Sequence, residues 1–204
     1  MKKNIFFLKG DTVVYNRENY DIDTFIKEFK LPKNIIVYIL DEDLFINDYV
    51  FTNRIHCREE IDKFIRNTFG NDKDYLFDYK IDWKNKIANI YTIKGGSRLS
   101  KICINASDLK VVPLQFEILS YAKRKIKDKS YELVYLHNDS YYFLKVNNNN
   151  IKRSVVKDDF DDIKKLISLD EEVSIYIDNK IKGIDYKNIK EIQLGGILDE
   201  KILS

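Results

Sequence analysis

Cysteine and histidine are scarce in this chain, which has two of each among its 204 residues. Cys57 and Cys103 are too few for a disulfide framework, and neither belongs to a Cys-x-x-Cys pair. No spacing typical of zinc ligands is present. His56 and Cys57 are neighbours whose side chains diverge on a strand or a helix start, so they are poorly placed as a catalytic pair. We therefore predict no metal site and a reducing compartment, by default the cytoplasm.

An excess of charge of one sign is also missing. The chain has 35 basic and 33 acidic residues, and its formal net charge of +2 creates no large field to capture nucleic acid. No apolar run approaches the roughly 20 residues needed to cross a bilayer. The run Ile5–Leu8 is too short for the core of a signal peptide. We expect a soluble protein that does not bind nucleic acid.

Glycine and proline are few as well, seven and two, and no Pro/Gly/Ser-rich linker separates domains. Strand-like and helix-like stretches alternate along the chain, which favours a layered α/β fold. Strands are predicted at Ile5–Leu8, Thr12–Tyr15, Asn34–Leu40, Leu44–Phe51, Tyr75–Ile81, Ile87–Ile93, Leu109–Val112, Tyr131–His137, Tyr141–Val146, Ile151–Val156 and Val173–Ile177. Amphipathic helices are predicted shortly after Asp23 and at Arg58–Phe69, Ser97–Ala106, Gln115–Ile126 and Asp159–Ile167. Pro113 is the most natural boundary between two halves.

Most polar clusters have a structural explanation. The aspartates at 158, 159, 161 and 162 are predicted to cap the helix that follows them, and so are Asp21 and Asp23. The run Asp41–Asp43 is predicted to be a solvated turn between two strands. The tract Asn147–Asn150 is predicted to be a hairpin turn, because asparagine tolerates a positive φ.

A basic cluster ends the helix from Gln115; its members are Lys123, Arg124, Lys125, Lys127 and Lys129. Cations are favoured at the C-terminus of a helix by its dipole, which is the first explanation. Contact with anionic lipid headgroups or with an acidic partner is the second.

The three strands predicted between Tyr131 and Val156 form a meander. In the chain, a predicted strand and a predicted helix come directly before it. In actin-like and sugar-kinase-like proteins, the first turn of such a meander holds phosphate through an Asp and a Gly, because glycine lets backbone amides approach closely. Here that turn reads His137–Ser140 and has no glycine. ATP-binding actin-like proteins have an Asp-x-Gly turn after the first strand. Here the turn Leu8–Asp11 has its glycine before its aspartate, which is the reverse order. We therefore expect degenerate phosphate-binding turns, with no catalytic residue, no nucleotide-binding residue and no cofactor.

The order of elements resembles the PilM and GspL group, actin-like cytoplasmic scaffold proteins of type IV pilus assembly and type II secretion. The matching elements are Asn34–Phe51, the helix that begins Arg58, Glu59, Glu60, the paired strands Tyr75–Ile81 and Ile87–Ile93, and the helix from Ser97 that leads into Asp108–Val112. Asp108 and Leu109 stand where the group usually has Gly and Leu, and Ala122 is the small residue of the next helix.

This resemblance implies an actin-like (ribonuclease H-like) two-lobed α/β fold, with mixed sheets flanked by helices and a degenerate nucleotide cleft. The N-terminal lobe would span residues 1–112, with an inserted α/β subdomain at about 54–107, and the C-terminal lobe 113–204. The implied function is a non-enzymatic scaffold at the inner face of the cell membrane. It would dock the pilus or secretion ATPase and a bitopic inner-membrane protein, and reach the membrane through these partners; a homodimer is left open.

An alternative is a divergent phosphotransferase that binds ATP. It would hold Mg²⁺ through Asp11 or Asp139 and place the pair Gly195–Gly196 near adenosine. A second glycine pair, in the run Lys94–Ser97, lacks the order of a phosphate-binding P-loop. We interpret this pair as the end of a strand, followed by a helix that Ser97 caps.

Overall fold

The structure, a computed structural model, describes residues 4–30, 33–104, 106–167, 173–182 and 189–194. The strands within these ranges are β1 (Asn4–Lys9), β2 (Thr12–Tyr15), β3 (Glu18–Asp21), β4 (Asn34–Leu40), β5 (Phe45–Val50), β6 (Tyr75–Asp82), β7 (Ile87–Lys94), β8 (Asp108–Pro113), β9 (Tyr131–His137), β10 (Ser140–Asn147), β11 (Asn150–Lys157), β12 (Ile175–Asp178) and β13 (Ile189–Ile192). The helices are α1 (Ile22–Glu28), α2 (Cys57–Phe69), α3 (Gly96–Ile102), α4 (Leu114–Lys125) and α5 (Phe160–Lys164). No helix in this part of the chain is both long enough and apolar enough to span a bilayer.

Two five-stranded sheets share one topology. The first has the strand order β3-β2-β1-β4-β8, and the second has the order β11-β10-β9-β12-β13. In each sheet a three-strand antiparallel meander is followed by two strands parallel to its first strand. The chain therefore builds the same arrangement twice, once in each half.

A third sheet, with the order β5-β7-β6, is inserted between β4 and β8 of the first. Its outer face packs against α2 through Ile61, Ala88 and Ile90. It begins at Phe45, earlier than the range of about 54–107 given to the inserted subdomain. The division of the chain into lobes at residue 112 stays a prediction.

One cluster of buried apolar residues runs from the first sheet through α4 to the second. It joins Leu8 and Tyr38 on the first sheet to Ile118 and Ala122 of α4 and to Tyr135 and other residues of the second sheet. A smaller cluster between α5 and the opposite face of the second sheet includes Val134. Strand β9 is thus covered on both faces, as its unbroken apolar run predicts.

Two of the hairpin turns are formed without glycine, because other residues adopt the positive φ values that these turns require. Asn148 and Asn149, between β10 and β11, have φ values of 48° and 61°. Asn16 and Arg17, between β2 and β3, likewise have positive φ values of 50° and 71°. Two successive residues with positive φ are typical of the turn that best matches the twist of a hairpin. The hairpin predicted at the asparagine tract is confirmed.

Two of the predicted helix caps are confirmed. The Asp21 carboxylate accepts hydrogen bonds from the amide groups of Asp23 and Thr24 at the start of α1. Asp159 accepts one from the amide of Asp161 at the start of α5. The prediction for Asp158 is wrong, because its carboxylate instead accepts a hydrogen bond from the Ser140 hydroxyl at 3.1 Å.

The prediction that Ser97 caps a helix is also wrong. Helix α3 begins at Gly96 and ends at Ile102, and the residue at its N-cap is Gly95, with a φ of 130°. The backbone carbonyl of Asp74 accepts hydrogen bonds from the amides of Gly95 and Gly96 at 2.9 and 2.8 Å. The loop before β6 therefore caps α3 from outside. Gly96 gives that loop room to come close, and Gly95 supplies the positive φ at the N-cap.

We predict that Gly96→Ala lowers the free energy of unfolding by about 1–3 kcal/mol, the usual cost of overpacking. A Cβ atom on Gly96 would lie 2.2 Å from the backbone carbonyl oxygen of Lys73. Urea denaturation measures the change. The matched control is Ser97→Ala, an exposed neighbour expected to stay within about 0.5 kcal/mol of the parent protein. Equal stability of the two variants would contradict the close approach.

Candidate functional site

The two turns that the sequence singles out lie near a group of acidic side chains around Lys9. Gly10, in the turn between β1 and β2, has a φ of 53°. Asn138 and Asp139, in the turn between β9 and β10, have φ values of 43° and 62°. A hydrogen bond to Asp41 raises the pKa of Lys9, and the charges of nearby Asp158 and Asp139 raise it further. Carboxylates from both halves of the chain therefore act on the charge of Lys9.

Asp41 connects the two halves directly. Its carboxylate pairs with the Lys9 ammonium at 2.9 Å and accepts a hydrogen bond from the Tyr142 hydroxyl at 2.6 Å. Its own amide donates to the same hydroxyl oxygen at 2.9 Å. Burial, together with the charge of Asp41, raises the pKa of Tyr142, so this hydroxyl stays protonated and remains a donor.

The next two residues extend this connection. The Glu42 carboxylate pairs with the Arg98 guanidinium at 2.7 Å, and its backbone carbonyl accepts a hydrogen bond from the Gln115 side-chain amide at 2.6 Å. Asp43 accepts a hydrogen bond from the backbone amide of Val156, on β11, at 2.7 Å. The prediction of a solvated turn at Asp41–Asp43 is wrong: all three residues are half-buried and bind distant parts of the chain.

The remaining partners fix the first turn as well. Arg98 donates a second hydrogen bond, to the backbone carbonyl of Gly10, at 2.8 Å. Sequence reasoning missed Arg98, Gln115 and Tyr142. Each belongs to an element that was predicted, but nothing in the local pattern distinguishes these three from ordinary helix or strand residues.

These contacts join strands that flank the two turns. Lys9 pairs with the Asp41 carboxylate, and the charges of Asp158 and Asp139 also act on it. The second turn carries side chains at both positions where close approach of a phosphate would favour glycine. In the described ranges, no group of three or more His, Cys, Asp or Glu side chains could hold a metal ion. The predicted absence of nucleotide-binding residues stays a prediction.

The described glycine pair, Gly95–Gly96, is already occupied by a contact within the protein. The amides of Gly95 and Gly96 are used by the Asp74 carbonyl, as described above. The pair Gly195–Gly196 lies outside the described residues.

The cysteines are both at least partly buried, and the two histidines lie apart from each other in the chain. Cys57 is buried at the start of α2, whereas His56 is exposed and its ring nitrogen contacts Glu59 at 3.2 Å. Burial raises the pKa of the Cys103 thiol to about 11, so little thiolate is present near neutral pH. The His137 ring stacks on Tyr135.

A second candidate site is an apolar groove of about 340 Å³ between the first sheet, the third sheet and α4. We call it the β6–β8 groove. Leu44, Tyr91, Ile93, Val112 and Phe116 are among its apolar lining residues. Tyr91 packs edge-on against Phe116 with ring centroids 5.1 Å apart, and burial raises the pKa of its hydroxyl to about 12. The Tyr91 side chain is therefore uncharged near neutral pH.

Strands at the edges of two sheets form the sides of this groove. Strand β8 ends the order of the first sheet and β6 ends the order of the third, so among the described strands each has one unpaired side. Phe77 of β6 is 36% exposed, and the charged residues Asp78, Lys110 and Glu117 also line the groove. An unpaired strand edge beside an apolar floor can accept an extended peptide as an additional strand.

We predict that Tyr142→Phe lowers the free energy of unfolding by about 1–3 kcal/mol, because it leaves the half-buried amide and carboxylate of Asp41 each short of a partner. Thermal or urea unfolding measures the effect. Tyr79→Phe is the control, since the Tyr79 hydroxyl makes no hydrogen bond within the described part of the chain. If both variants match the parent protein, the contact between Asp41 and Tyr142 contributes nothing to stability.

Comparison with known proteins bears on the fold alone. No protein-family model matches the sequence, and no curated protein matches it. The structure is similar to that of a Bacteroides thetaiotaomicron protein with the actin-like ATPase fold and unknown function, with a TM-score of 0.54 and 9% identity over 98% of this chain and 94% of that one.

Two further solved structures are similar. One is the cytoplasmic domain of EpsL, an inner membrane component of the type II secretion system of Vibrio cholerae, with a TM-score of 0.58 and 10% identity over 99% of this chain and 95% of that one. The other is the PilM–PilN type IV pilus biogenesis complex, with a TM-score of 0.44 and 6% identity over 66% of this chain and 45% of that one. The predicted actin-like fold is thereby confirmed, and a cytoplasmic domain of a secretion system is among the structures that share it with this chain.

Proposed function

We propose that this chain is a non-enzymatic scaffold of a type II secretion or type IV pilus system, acting at the cytoplasmic face of the inner membrane. The observation that carries the proposal is the set of contacts around Asp41. Asp41 binds both Lys9 and Tyr142, which lie next to the two turns, and the charges of Asp139 and Asp158 add to the negative potential there. The fold that this chain shares with the cytoplasmic domain of EpsL supports the choice of system.

The β6–β8 groove is the proposed docking site for a partner. Its apolar floor offers burial, and its two unpaired strand edges offer backbone hydrogen bonds to an extended segment. A bitopic membrane protein with a short cytoplasmic segment presents such a chain rather than a folded domain. We therefore assign the groove to the bitopic partner and a separate surface to the assembly ATPase.

The scaffold proposal predicts that calorimetric titration with Mg-ATP gives no binding heat, whereas the chain retains the secretion or pilus ATPase encoded with it in a pull-down. The physical reason is the repulsion between a triphosphate and the carboxylates of Asp41, Asp139 and Asp158. Tight binding of Mg-ATP without retention of the ATPase would reject the scaffold. Hydrolysis that is lost in both Asp11→Ala and Asp139→Ala would establish the phosphotransferase instead.

The groove proposal predicts that Phe77→Asp weakens binding of the bitopic partner's cytoplasmic segment at least tenfold. The reason is that replacing an aromatic residue of an interface by a charge costs more than about 1.4 kcal/mol of binding free energy. Fluorescence anisotropy with a labelled segment measures the affinity. Ile55→Asp is the matched control, because Ile55 is 86% exposed and does not line the groove.

The two variants separate folding from binding. Phe77 also contacts the Phe69 ring, so the thermal unfolding of each variant is measured beside its affinity. If the Phe77→Asp variant is folded and its affinity is unchanged, the partner binds another surface. The scaffold proposal would still stand.

A further inference from the structure

A basic surface surrounds the C-terminal end of α4. A shallow cavity of about 440 Å³ lies there, and its lining residues are Lys123, Arg124, Ile126, Lys127, Lys129 and Asn149. The four cations of this lining are exposed, and so is Lys125 beside them. We call these five cations the α4 basic surface.

Few nearby acids neutralise this surface. In the described part of the chain, none of the ion pairs involves any of the five cations. The one acid between residues 123 and 129 is Asp128, and its carboxylate is engaged elsewhere. It accepts a hydrogen bond from the Tyr176 hydroxyl at 2.8 Å and pairs with Lys190 at 3.3 Å.

The positive charge extends beyond α4 onto the third sheet. Lys80 of β6 donates a hydrogen bond to the side chain of Asn150, on β11, at 2.8 Å. Partial burial lowers the pKa of Lys123, and the nearby charge of Lys80 lowers it further. Cations from two separate elements therefore come together at this surface.

The helix dipole does not account for the whole surface. It favours cations within the last turn, where Lys123, Arg124 and Lys125 lie. Helix α4 ends at Lys125, so Lys127 and Lys129 lie beyond it, and Lys80 belongs to another sheet. Bringing like charges together costs free energy, which an anionic ligand can offset.

We propose that the α4 basic surface binds the phosphate headgroups of an anionic membrane directly. The cations are spread over an open surface, which suits an extended array of negative charges better than one small ion. Ile126 is buried, so attraction between charges dominates rather than insertion of apolar side chains. This contact goes beyond the proposed function, in which partners bring the chain to the membrane, and it requires no partner.

The test is co-sedimentation of the chain with vesicles of phosphatidylcholine alone or with a third of the lipid replaced by phosphatidylglycerol. We expect binding only to the anionic vesicles, and weaker binding as salt screens the charges. Each cation near an anionic surface contributes about fivefold to binding. The triple variant Lys123→Gln, Lys127→Gln and Lys129→Gln should therefore bind about a hundredfold more weakly.

The matched control removes the same charge elsewhere. Lys27, Lys63 and Lys84 are exposed lysines on α1, on α2 and in the turn before β7, and none lines the α4 cavity. Their triple change to Gln should alter binding by no more than about twofold. Circular dichroism confirms that both triple variants are folded.

Three outcomes would overturn the proposal. Equal losses in the two triple variants would show a response to net charge alone. Binding to phosphatidylcholine vesicles as tight as to the anionic ones would remove the electrostatic basis. Inorganic pyrophosphate or single-stranded DNA that binds the parent more tightly than the anionic vesicles do would assign the surface to another ligand. The affinity of the α4 variant for the bitopic segment, measured in parallel, tests the scaffold separately.

Discussion

The carboxylate of Asp41 connects the two sheets of this protein, and the positions of both turns depend on it. It binds Lys9 at the end of β1 and Tyr142 at the start of β10, while the Asp41 amide binds the same Tyr142 hydroxyl. Glu42 and Asp43 add contacts to α3, α4 and β11 on either side. The apolar core continues beneath these contacts through α4. Separating the two halves would therefore expose apolar surface and break a connected set of hydrogen bonds at the same time.

Equivalent positions in the two sheets are used in different ways. Strands β4 and β12 occupy the same place in their sheets, next to the first strand of each meander. An aspartate follows or ends each of them: Asp41 comes directly after β4, and Asp178 is the last residue of β12. Asp178 is buried, accepts hydrogen bonds from the backbone amides of Leu136 and Lys180, and has a pKa raised by that burial. One carboxylate is used within its own sheet and the other between sheets, so the two similar sheets meet through an asymmetric contact.

The sequence predicts the elements of this fold better than it predicts their contacts. Apolar periodicity locates nearly every described strand and helix, because burial imposes that periodicity locally. Strand β3 was missed because Glu18–Asp21 has no apolar alternation and is held by pairing with β2. Asp41–Asp43 was misread because three acids between strands are usually solvated, and their partners are far away in the chain. Tyr142 is 101 residues from Asp41, and Arg98 is 56 from Glu42. The capping of α3 by Asp74 required a close approach of backbone that no local pattern records.

The position of α4 joins the two proposed surfaces. Phe116 and Glu117, near its start, line the β6–β8 groove, and Lys123 and Arg124, near its end, line the basic cavity. At about 1.5 Å per residue, Phe116 and Lys123 lie about 10 Å apart along one rigid helix. The buried face of that helix, with Leu114, Ile118 and Ala122, is part of the core that both sheets share. Motion of one surface relative to the other would require that core to be repacked. With both proposed surfaces occupied, a segment bound in the groove would therefore be held at a fixed distance from the membrane.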